Sequence, residues 1–293
     1  MTSVKEFAYA KINLHLDVLD KREDGFHSVR TVMQTVTLSD EITVSVKPSK
    51  KRDVTLSLVG GGKLPCDSRN LAYKAAELFL DATLNEAAVD IRLNKRIPIA
   101  AGLAGGSADA AATLRALNRI FKKPLTEKRL IAIASELGSD VPFCLIGGTA
   151  LCLGRGELIE RLSDSLDLNV VVAIADEHVS TPMAYSRLDE LYDDFTTSRD
   201  DEAKIAFDSL MASFNSGKLT DEKLYNIFEN AVLPICSGAE MIKRRLVELG
   251  ATHALMSGSG PSVFGIFESL EKADSAAEAL VIEGYRAYSA RTV

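Results

Sequence analysis

The stretch that most limits how this chain can fold is Pro98-Ile99-Ala100-Ala101-Gly102-Leu103-Ala104-Gly105-Gly106-Ser107-Ala108-Asp109-Ala110-Ala111-Ala112-Thr113-Leu114, a glycine-bearing loop that passes directly into an alanine-rich run. Alanine is the strongest helix former and glycine one of the weakest, so the alanine-rich second half is expected to be a helix, with Gly102, Gly105 and Gly106 immediately before it. The first-turn N–H groups of such a helix have no partner within it and carry partial positive charge. Glycines just before it let the backbone come close to a ligand, and a di- or triphosphate fits that arrangement. The same composition also suits plain close packing of a helix on a strand. Two other phosphate loops are excluded: the spacing is G-x-x-G-G rather than G-x-G-x-x-G, and the chain contains no G-K-[ST]. A lysine that reaches the terminal phosphates must therefore come from elsewhere.

Around this loop the pattern alternates between strand and helix. Phe7 to Leu19, Val29 to Val36, Glu41 to Val46 and Asp53 to Val59 read as strands. Arg69 to Leu84 has helical spacing, with Leu71, Ala75, Leu78 and Phe79 on one face, and Val89 to Leu93 returns to strand. Helix Glu127 to Leu137, strands Thr149 to Leu153 and Asn169 to Ala175, and helix Pro182 to Leu191 follow. Asp193 to Lys204 is polar and acidic, a candidate for the start of a second lobe or for a mobile connection. Helices are then expected at Ile205 to Phe214, Asp221 to Phe228 and Ala239 to Leu249. The chain ends with strands His253 to Met256 and Ser262 to Phe267, helix Lys272 to Ile282 and strand Tyr285 to Ala290. This order predicts an α+β protein with helices covering sheets. No internal repeat is apparent.

Charge and composition narrow the partners. With 41 acidic against 34 basic residues the net charge is -7, which lacks the electrostatic footprint of nucleic-acid binding. No run of about 18 apolar residues suggests a membrane span, and Met1 to Lys5 leads straight into strand-like sequence, so a cytoplasmic protein is expected. Cys66, Cys144, Cys152 and Cys236 show no metal-ligand or C-x-x-C spacing and read as reduced thiols.

Two further segments carry chemistry. Gly138-Ser139-Asp140-Val141-Pro142-Phe143 puts a carboxylate in a turn after a helix, where Asp140 either stabilises the turn or acts on a ligand. Ser257-Gly258-Ser259-Gly260-Pro261-Ser262 is a second glycine turn, between strands. Ser107 lies where the loop meets the helix and is a candidate ligand for Mg²⁺ or phosphate. Asp109 is either a metal carboxylate or an acid of the helix's first turn.

Taken together, these segments resemble the three motifs of the GHMP kinases. Ala10-Lys11-Ile12-Asn13-Leu14, Asp24-Gly25-Phe26-His27, Arg69-Asn70-Leu71, Gly102 to Ser107, Ser139 to Phe143, His178-Val179-Ser180-Thr181 and Met256 to Gly260 resemble, in order along nearly the whole chain, members that act on a cytidine-diphosphate-linked methylerythritol. The resemblance implies an α+β fold with a ribosomal-protein-S5-like N-terminal lobe (1–160), a ferredoxin-like C-terminal lobe (161–293) and an active site in the cleft between them. It implies ATP as co-substrate with Mg²⁺, transfer to the acceptor's 2-hydroxyl, and a monomer or homodimer.

The resemblance also assigns residues. Lys11 and Asp140 are implied as the catalytic pair, the carboxylate taking the hydroxyl proton and the lysine offsetting negative charge during phosphoryl transfer. Pro98, Ile99, Ala100, Ala101, Gly102, Leu103, Ala104, Gly105, Gly106, Ser107 and Ala108 are implied for ATP. Asn13, Phe26, His27, Thr181 and Tyr185 are implied for the acceptor, with Phe26 and Tyr185 enclosing the base and His27 and Asn13 reading it. The sequence departs from the family's commonest loop, which begins P-x-G-G-G-L-G-G-G-S-S, by alanine at 100, 101, 104 and 108, so a different loop path is expected. Phe26 stands where tyrosine is usual. The competing readings are a GHMP kinase for homoserine, mevalonate or a sugar, and a degenerate ATP-binding sensor.

Overall fold

A computed structural model describes residues 1–60, 63–162, 166–192, 195, 200–217, 219 and 224–293. In chain order the elements are β1 (Thr2–Lys21), β2 (His27–Pro48), β3 (Asp53–Leu58), α1 (Leu71–Thr83), β4 (Ala87–Asn94), α2 (Gly105–Ile120), α3 (Glu127–Leu137), α4 (Val141–Ile146), β5 (Thr149–Leu153) and β6 (Leu158–Arg161). Then come β7 (Asn169–Ile174), α5 (Thr181–Leu191), α6 (Asp200–Ser216), β8 (Tyr225–Asn226), α7 (Phe228–Val232), α8 (Ser237–Glu248), β9 (His253–Met256), β10 (Ser262–Phe267), α9 (Leu270–Ile282) and β11 (Arg286–Arg291).

The chain forms two compact units that are not contiguous in sequence. The first is Met1–Ala10, Ser39–Ile99 and Ala104–Ile146; the second is Lys11–Leu38, Ala100–Leu103 and Gly147–Val293. In the first unit β4 runs antiparallel to the later part of β2, from Glu41 opposite Asn94 to Pro48 opposite Ala87, and parallel to β3. The alanine run explains the helix packing there. Ala108, Ala110, Ala111, Ala112 and Ala116 of α2 are buried, as are Ala72, Ala75, Ala76 and Phe79 of α1, so both helices bury faces that are mostly backbone and methyl. Asn70 and Thr126 cap α1 and α3 through their side chains, accepting from Ala72 N and Arg129 N.

In the second unit β5 pairs antiparallel with the early part of β2, and a separate sheet has the order β11-β7-β10-β9. Its three pairings are all antiparallel. Val171, Ala173, Val263 and Met256 of that sheet share a core with Ile242 and Leu246 of α8 and Ala276 and Leu280 of α9.

Two elements differ from expectation for visible reasons. The strands expected at 29–36 and 41–46 are one strand, because Asp40 is not a turn residue: it is fully buried and accepts from the backbone N–H groups of Arg96 and Ile97. The helix expected over 221–228 is instead strand at Tyr225–Asn226, which pairs parallel with His15 and Leu16, before α7 begins. Residues 221–223 of that segment, and 193, 194 and 196–199 of the expected acidic segment, lie outside the described residues, while 200–204 of the latter are the start of α6, which begins five residues before the expected helix.

One buried group gives the second unit an acid sensitivity. His15 is fully buried beneath Phe207 of α6 and beside Tyr225, with ring centroids at 5.2 and 5.7 Å, and neither ring nitrogen has a hydrogen-bond partner among the described residues. Burial, helped by the charge of Arg30, lowers its pKa from 6.5 to about 3. The folded state therefore keeps His15 neutral while the unfolded chain takes up a proton below pH 6.5, and stability falls as pH drops from there toward 3. The slope is about 1.4 kcal/mol per pH unit from this one group. Thermal melts should show His15→Phe gaining on the wild type by about 1–2 kcal/mol between pH 7 and pH 5. An unchanged difference at the two pH values would contradict a neutral buried His15.

Candidate active site

In the second unit the first glycine loop, the second glycine turn and β1 meet at their backbones. Lys11 N donates to Leu103 O at 3.2 Å, Ser257 Oγ donates to Gly102 O at 3.1 Å, and Ser262 Oγ donates to Ala101 O. Gly102 has φ +73°, and a Cβ there would run into the carbonyl oxygen of Ser257, so only glycine serves. Asn226 Nδ2 holds the turn from behind by donating to Met256 O and Gly258 O at 2.7 and 2.8 Å.

Lys11 and Asn13 point to the same place. Lys11 Nζ donates to Asn13 Oδ1 at 2.7 Å, Gly258 N donates to that same oxygen at 2.9 Å, and Asn13 Nδ2 donates to Thr31 Oγ1 at 2.8 Å. Both Lys11 and Asn13 are buried. Asn13, expected from the resemblance to read a base, is thus engaged with Lys11, the glycine turn and β2.

The rest of the loop belongs to the first unit. Gly105, Gly106 and Ser107 form the first turn of α2, and the first helical bond is Ala108 N to Ala104 O at 2.8 Å, which leaves the preceding N–H groups open. Ser107 is half-buried and its hydroxyl has no hydrogen-bond partner among the described residues. Gly106 is exposed, whereas a Cβ on Gly105 would stand 3.0 Å from Ile97 Cγ2 and 3.1 Å from Lys95 Nζ. Lys95 Nζ bridges Asp40 and Asp109, the latter at 2.9 Å. Burial raises the Asp109 carboxyl well above the ordinary value, Lys95 opposing this and Asp40 adding to it. Asp109 is therefore engaged in a buried hydrogen-bond network with Lys95 and Asp40. Among the described residues no group of three His, Cys, Asp or Glu is placed to hold a metal ion.

Asp140 is half-buried immediately before α4, and its carbonyl accepts from Cys144 N at 3.0 Å. It lies in the first unit and Lys11 in the second.

The residues expected at the acceptor all lie in the second unit, and of them His27 and Tyr185 are in contact. His27 stacks on Tyr185 at 4.7 Å between centroids and 23° between planes, and Tyr185 meets Phe228 edge-on at 4.9 Å. His27 Nε2 is 2.7 Å from Asp189 Oδ1, and Lys21 Nζ reaches the other oxygen at 2.6 Å. Burial of Asp189 is outweighed by these two hydrogen bonds, which hold its carboxyl below the usual range. The Phe26 ring is exposed and lies under the Arg155 guanidinium at 4.8 Å. Thr181 Oγ1 pairs with Ser259 Oγ at 2.9 Å, tying the start of α5 to the second glycine turn. Thr31, Asn226, Asp189 and Arg155 were not legible in sequence, because an isolated Thr, Asn, Asp or Arg carries no local signal. Ser257 and Ser262 flank the glycine turn and were within its segment.

Comparison with known proteins adds the following. The family pattern for the GHMP kinases N terminal domain matches residues 70–148, and that for GHMP kinases C terminal matches residues 207–286. A 4-diphosphocytidyl-2-C-methyl-D-erythritol kinase of Clostridium acetobutylicum is 36% identical over 289 residues, covering 98% of this chain and 99% of its own. One from Macrococcus caseolyticus is 41% identical over 279 residues, covering 94% and 95%. A crystal structure of 4-(cytidine 5'-diphospho)-2C-methyl-D-erythritol kinase matches with a TM-score of 0.80 and 32% identity over 99% of each chain. A homoserine kinase from Cytophaga hutchinsonii, 21% identical, shares the fold with a TM-score of 0.78.

The alanine departures in the loop have a measurable consequence. Ala100 and Ala104 adopt φ +53° and +55°, so the chain keeps left-handed turns at positions where the family's commonest loop has glycine. An L-residue there costs about 1–2 kcal/mol, partly offset by the lower unfolded-state entropy of alanine. Ala104→Gly should raise stability by about 1 kcal/mol in denaturant titration. A loss of stability would show that the Ala104 methyl contributes packing that outweighs the strain.

Proposed function

The chain belongs to the GHMP kinases, and from its full-length likeness to the 4-diphosphocytidyl-2-C-methyl-D-erythritol kinases among them we propose that it transfers the γ-phosphoryl group of ATP to the 2-hydroxyl of that cytidine-linked alcohol, in non-mevalonate isoprenoid precursor biosynthesis. Its fold is the α+β fold of that family. The structural observation that carries the reading is the start of α2: open N–H groups at Gly105, Gly106 and Ser107, preceded by a loop whose carbonyls are pinned by Ser257 and Ser262. Such a helix start takes the ATP phosphates. Pro98 to Ala108 line them.

Mg²⁺ travels with the nucleotide in this reading. The uncommitted Ser107 hydroxyl and the phosphates would hold it, and it would offset charge on the transferring group. Asp140 takes the proton from the acceptor hydroxyl, and Lys11 supplies positive charge and orientation. A cytoplasmic enzyme is consistent with the finding that no helix of the described residues is long and apolar enough to cross a membrane.

Base selection follows from the histidine. Ionised Asp189 accepts from His27 Nε2, which selects the tautomer with its proton on that nitrogen and Nδ1 as the acceptor. An acceptor suits the amino group of cytosine and not the carbonyl of uracil at the same place. Phe26, exposed beneath Arg155, supplies a face for stacking.

ADP release measured with the cytidine-linked acceptor, and without it, tests the activity. Asp140→Asn should lower kcat by about two orders of magnitude with both KM values little changed, the scale of a positioned general base. A loss under threefold would leave Asp140 a turn residue.

Replacing Asp189 tests base selection. Asp189→Asn should reduce the ratio of kcat/KM for cytidine- over uridine-linked acceptor by about tenfold, since an amide no longer dictates the tautomer. An unchanged ratio would remove His27 from base reading.

A further inference from the structure

The bond network around Asn13 assigns a task to a residue that no motif contains. We propose that Thr31 is a positioning residue for Lys11: its hydroxyl fixes which way round the Asn13 amide stands, and so which end of that amide meets Lys11.

An amide is nearly symmetric in shape, but its oxygen only accepts and its nitrogen only donates, so its partners decide its orientation. Lys11 Nζ and Gly258 N are both donors, and both reach Asn13 Oδ1, at 2.7 and 2.9 Å. On the far side Thr31 Oγ1 has given its hydrogen to His15 O at 2.6 Å. It therefore faces Asn13 as an acceptor only, and takes the Nδ2 hydrogen at 2.8 Å. Reversing the amide would put NH₂ against two donors and oxygen against a lone pair. Water does not relieve such a mismatch here, because Lys11, Asn13, Thr31 and His15 are 4%, 2%, 1% and 0% exposed. The chain from the His15 carbonyl to Lys11 thus has one consistent direction, which Thr31 sets from the Nδ2 end and the Lys11 and Gly258 donors match at the Oδ1 end. A Cβ on Gly258 would lie 3.3 Å from Lys11 Nζ, so the lysine head is also confined on the turn side.

The inference rests on the kinase reading above for its kinetic arm alone. In wild type, Thr31→Ser and Thr31→Val, kcat and both KM values are measured together with circular dichroism. Thr31→Val, of equal shape but without the hydroxyl, should lower kcat about tenfold with both KM values within about threefold, while Thr31→Ser stays within about threefold of wild type. In an Asn13→Asp background the carboxylate presents oxygen either way round, so adding Thr31→Val should change kcat by less than about threefold. A tenfold loss in both backgrounds, a loss confined to the acceptor KM, or a Thr31→Val kcat within about twofold of wild type overturns the proposal. If Thr31→Val does not fold, Thr31→Cys takes its place, a thiol being a poor acceptor, with the same outcomes expected.

The second arm needs no turnover. Acetylation of Lys11 by acetic anhydride in the unliganded protein, followed by peptide mass spectrometry, should be about threefold faster in Thr31→Val than in wild type or Thr31→Ser, because one acceptor of the lysine, Asn13 Oδ1, is no longer held in place. Equal rates in all three proteins would show that Thr31 does not hold Lys11, whatever the acceptor of the kinase proves to be.

Discussion

The carbonyl oxygen of the Asn13 side chain is the point on which the second unit's site depends. It accepts from Lys11 on the same strand and from Gly258 on a turn 245 residues away, while the amide nitrogen is tied to β2 through Thr31. Each hydrogen bond is worth only about 0.5–1.5 kcal/mol net, but a buried partner left unpaired costs about 1–3 kcal/mol. A network with every member buried therefore specifies one arrangement more strongly than it stabilises the chain as a whole. Around it the backbone is fixed by further single bonds: Lys11 N to Leu103 O, Ser257 to Gly102 O, and Asn226 to both carbonyls flanking Ser257. The glycines at 102 and 258 are consequences of this crowding, since a side chain at either would meet backbone oxygen at once.

The first unit solves a similar problem with charge. Lys95 stands between Asp40 and Asp109, both almost fully buried, and Asp40 also takes two backbone N–H groups from the segment leading to the phosphate loop. Ion pairs in such places add little stability against an apolar alternative, yet losing one member leaves an uncompensated charge and is costly. The arrangement fixes where β4 ends and where α2 begins, so the open end of α2 has a defined position within its own unit. It also explains why Gly105 is glycine: the lysine head occupies the space a side chain would need. A bulky residue at 105 would disturb this ion pair as well as any ligand, whereas Gly106 is open to solvent.

The aromatic groups of the proposed acceptor site show how resemblance and geometry differ in what they give. Resemblance named His27, Tyr185 and Phe26 together. Geometry adds that one face of Tyr185 is already covered by His27, that Phe26 lies under Arg155, and that Asp189 and Lys21 hold the histidine from behind. A carboxylate on Nε2 turns a ring capable of either role into one with a defined donor side.

Local physics was legible in the sequence wherever a residue type has few options. The alanine run had to be a helix, and its glycines were expected to precede it; α2 in fact begins at Gly105, so Gly105 and Gly106 form its first turn and only Gly102 precedes it. Strand-like runs marked β3, β4, β7, β9 and β10 near their observed bounds and β1 from Phe7 onward, and helix α3 was read at Glu127–Leu137 as found. Ordered motifs made the family, and with it the kinase chemistry, readable from one chain. What the sequence did not contain were the roles of residues whose meaning depends on distant partners. Asp40 looks like a turn former until Arg96, Ile97 and Lys95 are seen to satisfy it, and Tyr225–Asn226 looks helical until β1 offers a strand edge and the 256–258 carbonyls claim the Asn226 amide. Propensity and pattern act over a few residues, while hydrogen-bond partners are assigned across the whole chain. The folded arrangement alone therefore determined which polar side chains hold the site and which remain open to a ligand.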